Sequence, residues 1–193
     1  MISDIFKTPI LNTKVPNVET ALKVYEEIRA NNKSRSVSNR GGYQSPLLLR
    51  EEREKIFTAD VMKEILEEAM SLYGWTKPLN FNIDGAWFNA NENGDYNISH
   101  RHSKCHFSFV WYLKVPDSSS GQLILEHPDS AIVMTGLFDL ERENKNHYNS
   151  EIMQITPSKG LMVMFPASLK HRVERYEGQE TRVSLAFNGS FKQ

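Results

Sequence analysis

Three histidines fall close together in GDYNISHRHSKCHFSFVWYLKVP, residues 94–116, and a further one, His171, follows in GLMVMFPASLKHRV. In an extended segment the H-x-H spacing places His100 and His102 on one face, about 6.5–7 Å apart at the backbone, so both imidazoles can converge on one ion. His171 stands at the start of a late strand. Two ligands from an early strand and one from a late strand is how a closed double sheet builds a facial three-point metal site with open coordination positions. The H-x-H pair alone also fits a purely structural role, and the distant third histidine is what makes it a candidate metal centre.

Arg182 and Ser184 follow as R-x-S and share a face if extended. A guanidinium beside a hydroxyl is a receptor for a carboxylate, and an unpaired inward arginine implies an anionic ligand. The competing reading pairs Arg182 with Glu174 or Glu180 at the surface. His106 has the parity of His100 and His102 but lies far along the strand for the same triad. It is expected beside the metal or as a supporting partner. His127 and His147, in turn or loop segments, read as surface residues. Cys105 has the opposite parity, shared with Phe107 and Phe109, and reads as a packed core thiol without an activating base.

The elements that position these residues come in two blocks. Helices are expected over about 18–31, with Asn17 as cap and Ala21, Val24, Tyr25 and Ile28 on one face, and over about 59–73, with Thr58 as cap and Gly74 as stop. The second helix carries an apolar line through Val61, Ile65, Ala69 and Leu72 and an outer face of alternating charge that reads as solvated surface. After Gly74, eight short stretches rich in β-branched and aromatic residues are separated by turn residues. They cover about 81–89, 106–115, 122–126, 131–137, 152–155, 161–165, 171–176 and 181–187. This order indicates a mainly β antiparallel sandwich or jelly roll with N-terminal helices on one outer face. The polar stretch 139–151 reads as a lid or as a solvated spacer.

The bulk composition narrows the partners. The chain has 193 residues, 23 Lys plus Arg and 24 Asp plus Glu. No overall field draws it to nucleic acid or an anionic membrane, and no basic stripe interleaved with aromatics is present. One compact domain over 1–193 is expected, with helical support at about 18–73 and a jelly-roll core at about 79–191. A single cysteine excludes an intrachain disulfide and fits a reducing compartment, so cytosol is the expected location. No apolar run approaches the length of a membrane span. Oligomeric state is not readable.

The segments IFKTPI, SNRGGYQSP, WFNANENGDYNISHRH, YLKVPDSSSGQL, FPASLKHRV and TRVSLAFN, in this order, resemble a family of 2-oxoglutarate- and Fe(II)-dependent oxygenases found often in marine bacteria and their phages. The likeness runs over about 5–191. It implies a double-stranded β-helix, a cupin-like jelly-roll barrel with N-terminal supporting helices. It also implies Fe(II) held by His100, His102 and His171, and 2-oxoglutarate held at its distal carboxylate by Arg182 and Ser184, with Tyr112 as a further contact. Members of this group carry H-x-H where H-x-D or H-x-E is more usual. Three neutral imidazoles leave the full charge on the iron, for the dianionic cosubstrate to neutralise. Ser103 stands where proline is common, and Phe109 where glycine is common. The implied reaction consumes O₂, yields succinate and CO₂, and oxidises a small molecule or a side chain, most often by hydroxylation.

Two other readings stay open at the level of sequence. GDYNISHRH fits the cupin pattern G-x5-H-x-H, and GLMVMFPASLKH fits G-x5-P-x4-H with Ser168 in place of the usual glycine and His106 in place of a glutamate. That pattern suits a metal-dependent dioxygenase or isomerase that needs no 2-oxoglutarate, with Arg182 binding the substrate itself. A non-catalytic jelly-roll module is the third reading, with Trp87, Trp111 and the 139–151 loop lining a groove.

Overall fold

The apolar runs FSFVWYL and LMVMF are buried on both faces, and this sets the architecture. The computed structural model describes residues 7–75, 80–129, 146 and 149–192. Among these, eleven strands form two antiparallel sheets. The larger sheet has β1 (Leu11–Lys14), β9 (Leu161–Pro166), β6 (Phe107–Lys114), β11 (Arg182–Lys192), β4 (Asn80–Asn91) and β3 (Tyr43–Gln44) in that order. The smaller has β2 (Asn39–Arg40), β5 (Tyr96–His100), β10 (His171–Val173), β7 (Leu123–Glu126) and β8 (Ile152–Ile155).

Alternation along β6 and β9 sorts side chains into two cores. Phe107, Phe109, Trp111 and Leu113, with Met162 and Met164, face the helices together with Phe88, Leu185 and Phe187. Tyr112, Val163 and Phe165 face the opposite way and meet Leu123, Leu125 and Ile155 of the smaller sheet. Phe109 stacks on Phe187 at 4.3 Å between centroids, so this residue fills the helix-side core and leaves the inner face to its neighbours. Trp111, 1% exposed, donates its indole N–H to the Val15 carbonyl, which makes it a core residue and not part of a groove.

The helices are α1 (Glu19–Asn31), α2 (Arg50–Ile56) and α3 (Ala59–Leu72). Helix α1 buries Ala21, Val24 and Ile28, the face read from the sequence. Its cap position is Val18 and not Asn17, and no side chain bonds there. Helix α3 starts after Thr58 as expected, but it buries Met62, Ile65 and Ala69 and leaves Leu72 51% exposed. The buried line is rotated toward Met62, and α3 ends in a Schellman turn beyond Leu72. Gly74 (φ 68) donates to the Ser71 carbonyl and Trp75 to that of Met70. Helix α2 was not expected: its seven residues are mostly charged and only Ile56 is buried, so no apolar period marks it. The stretch 131–137, expected as a strand, lies outside the described residues. So do His147 and most of the 139–151 segment. No described helix is long and apolar enough to cross a membrane.

Candidate metal centre

Strand register carries the candidate residues to one place. On the larger sheet, β11 lies between β4 and β6, with Arg182 opposite Asn91, Ser184 between Asn89 and Tyr112, and Ala186 between Trp87 and Val110. Directly opposed residues share a face, so these rows pave the inner floor of the barrel. The smaller sheet forms the roof, where β10 sets His171 opposite His100 of β5 on one side and Leu125 on the other. His102 lies past the end of β5, held by its backbone N–H on the Ala167 carbonyl at 2.9 Å, just ahead of β10. All three histidines, with Arg182, Ser184 and Tyr112, line a single cavity between the sheets.

One ring nitrogen from each of His100, His102 and His171 lies within 4.8 Å of the other two. A single point is therefore within about 2.8 Å of all three, close to the roughly 2.0–2.1 Å typical of a metal–imidazole bond. Ring centroids are 4.3 Å apart for His100 and His171, 5.1 Å for His100 and His102, and 5.2 Å for His102 and His171. The Nδ1 of His100 bonds the Ile98 carbonyl at 2.8 Å, and that of His171 bonds the Leu169 carbonyl at 2.9 Å. A carbonyl only accepts, so Nδ1 carries the proton in each ring and Nε2 presents its lone pair.

Electrostatics keep the rings in their ligating form. Burial, and then the neighbouring imidazoles, lower the pKa of His171 to about 3 and that of His102 to about 4. Burial also lowers the pKa of His100, against its bond to the Ile98 carbonyl. Near neutral pH all three are uncharged donors, as metal binding needs. Phe165 packs edge-on against His171 at 4.7 Å, and Trp87 lies 5.7 Å from His102. Three neutral nitrogen donors on one side of a cavity suit a divalent transition metal, with positions left on the cavity side.

At the other end of the cavity, Arg182 is 2% exposed. Its Nη2 donates to Asn91 Oδ1 at 3.0 Å and its Nη1 to the Gly121 carbonyl, while Nε has no partner among the described residues. The surface pairings weighed for Arg182 do not form: Glu180 pairs with Lys114 at 3.4 Å, and Glu174 accepts from Gln154 at 3.4 Å. A buried guanidinium with neutral partners fits an anionic ligand such as a carboxylate. Ser184 is 7% exposed and Tyr112 2%. Burial pushes the Tyr112 hydroxyl up to about 12, partly offset by Arg182, so it stays a protonated donor.

His106 does not join the cluster. It is exposed, its Nδ1 accepts the Phe191 N–H at 3.2 Å, and it ties the start of β6 to the end of β11. His127 is a half-buried turn residue whose Nδ1 accepts the Asp129 N–H at 3.1 Å. Cys105 departs from its expected core placement. It sits half-buried in the turn before β6, which begins only at Phe107, so strand alternation does not reach it. Asn91 and Gly121 were not singled out from the sequence, since only the folded register brings them to Arg182.

No curated protein matches the chain by sequence. Among solved structures, an oxidoreductase of the 2OG-Fe(II) oxygenase family from Burkholderia pseudomallei is similar, at 13% identity and a TM-score of 0.60 over 95% of this chain and 84% of that one. A prolyl-4-hydroxylase from Pseudomonas putida is similar at 15% identity and a TM-score of 0.57, over 96% and 93%. A viral collagen prolyl hydroxylase from Paramecium Bursaria Chlorella virus-1, in complex with 2OG, is similar at 12% identity and a TM-score of 0.56, over 93% and 94%. These likenesses identify the fold as the double-stranded β-helix. Residues 85–188, more than half of the chain, match the family described as "Putative 2OG-Fe(II) oxygenase". That match does not favour the cosubstrate-free cupin reading or the non-catalytic one, and with the histidine cluster and the buried arginine inside the matched span, the chain belongs to this family of oxygenases that use Fe(II), 2-oxoglutarate and O₂.

Proposed function

We propose that His100, His102 and His171 hold the Fe(II), that Arg182 with Ser184 and Tyr112 anchors the distal carboxylate of 2-oxoglutarate, and that the reaction hydroxylates a small molecule or an amino-acid side chain. One observation carries the reading: three neutral imidazoles with nitrogens within 4.8 Å of one another share a cavity with a buried arginine that has no carboxylate partner among the described residues. The bound iron supplies the oxidative decarboxylation of 2-oxoglutarate to succinate and CO₂, coupled to oxidation of a substrate C–H bond. The chain supplies orientation. Nδ1 bonds to Ile98 and Leu169 fix two rings with Nε2 turned to the cavity. The Arg182 guanidinium sets where the far end of the cosubstrate lies, and the Ser184 and Tyr112 hydroxyls donate beside it. Phe165 packs against the His171 ring and Trp87 lies beside that of His102. We further read the protein as cytosolic and without nucleic-acid partners, from its balanced charge and lone cysteine.

Anaerobic addition of 2-oxoglutarate to the Fe(II)-loaded protein tests the assignment. A weak visible charge-transfer band is expected in the wild type and is expected to be lost in His171→Ala. No band in the wild type, or an undiminished band in His171→Ala, overturns it.

A further inference from the structure

We propose that Asn91, with the Gly121 carbonyl and the Tyr176 ring, forms a charge-neutral cradle that aims Arg182 into the cavity while leaving its positive charge uncompensated, Asn91 being a positioning residue for cosubstrate binding. This rests on the reading of Arg182 as the anchor for 2-oxoglutarate. The cradle comes from three separate segments. Asn91 ends β4 directly opposite Arg182, and its Oδ1 accepts from Nη2 at 3.0 Å. Gly121 precedes β7 with φ 67, and a Cβ built there would collide with Nη1. The absence of a side chain is thus what lets its carbonyl reach the guanidinium. Tyr176 is fully buried, lies 5.0 Å below the guanidinium carbon, and is itself held by its hydroxyl on the Glu180 carbonyl at 2.7 Å.

Every one of these groups is neutral, although a buried guanidinium would be held more strongly by a carboxylate. An internal carboxylate would occupy the fork of donors and cancel the charge that an incoming anion needs. Among the described residues no carboxylate lines the cavity. The residue at position 91 therefore orients the arginine without competing with the ligand, a distinction that separates asparagine from its isostere aspartate.

The test is the concentration of 2-oxoglutarate that half-saturates the anaerobic Fe(II) charge-transfer band. It is measured in wild type, Asn91→Ala and Asn91→Asp, with Mn(II) affinity by calorimetry and the melting temperature recorded alongside. Asn91→Ala is expected to raise the half-saturating concentration about 10-fold, the loss of one hydrogen bond to a charged group. Asn91→Asp is expected to raise it about 100-fold or more, with unchanged Mn(II) affinity and a melting temperature no lower than wild type. A merely structural role predicts the opposite order, since aspartate keeps the acceptor and alanine does not. The proposal is overturned if Asn91→Asp binds 2-oxoglutarate as tightly as wild type or more tightly than Asn91→Ala. Should Asn91→Asp fail to fold, Gly121→Ala replaces it: raised half-saturation with unchanged Mn(II) affinity supports the cradle, and unchanged half-saturation overturns it. A wild type that gives no band refutes the anchor reading itself, an outcome distinct from any ordering of the variants.

Discussion

Replacing Arg182 by methionine separates binding from stability, because methionine keeps the aliphatic length and removes the guanidinium. In the free protein, two hydrogen bonds to a charged donor, each worth about 1.5–3 kcal/mol, are lost together with a desolvation penalty of several kcal/mol. The two effects oppose each other, so the melting temperature without ligand is expected to move by only a few degrees. With 2-oxoglutarate the outcome differs. Wild type in the presence of Mn(II), with ligand at about 100 times its dissociation constant, gains about 2.7 kcal/mol, worth roughly 5–10 °C in a chain of this size. Losing a buried charge pair to the ligand costs about 2–5 kcal/mol, so the same ligand concentration is expected to stabilise Arg182→Met by less than about 1 kcal/mol, below about 3 °C. Thermal denaturation followed by circular dichroism, with and without 2-oxoglutarate, gives all four values. A variant that is stabilised by 2-oxoglutarate as much as wild type refutes the assignment of Arg182.

Three further outcomes follow from the geometry. His102→Ala removes one of the three proposed ligands, and the stabilisation of the protein by Mn(II) is expected to vanish in thermal melts. The metal-free protein should lose stability in acid. His102 and His171 have folded pKa values near about 4 and about 3, below the unfolded value of 6.5, so the unfolded chain binds more protons between these limits. That contribution is complete above pH 6.5 and is lost as pH falls through the window toward 4 and 3, by about 1–2 kcal/mol per ring at pH 5. Urea midpoints at pH 7.5 and pH 5 check the sign, and a midpoint that rises on acidification contradicts it. Gly74→Ala places a Cβ at φ 68 with no neighbouring atoms to meet, so backbone conformation alone should cost about 1–2 kcal/mol in urea unfolding.

How much of this was legible in the sequence depended on whether chemistry or packing had left a mark there. The three histidines were readable because their residue type and H-x-H spacing carry meaning at any register, and Arg182 with Ser184 because an alternating pair on a strand shares a face. Tyr112, named through the family resemblance, lies opposite Ser184 in the strand register. Strand β5, which delivers His100, reads YNISH and buries only Asn97, so it showed no apolar alternation. Helix α2 was hidden for the same reason. The face of α3 shifted from Leu72 to Met62 because what packs against a helix is a tertiary fact. Cys105 was misplaced by extending strand parity two residues too far. The bond between Asn91 and Arg182 joins the ends of two long strands and leaves no local trace.

On the proposed assignment three imidazoles, and no carboxylate, bind the iron from the protein. X-ray absorption at the iron edge of the anaerobic Fe(II) protein tests it most directly. A shell fitted by three imidazole groups at about 2.1 Å is the expected result. A spectrum with two or fewer imidazoles, or one that is unchanged in His171→Ala, contradicts it.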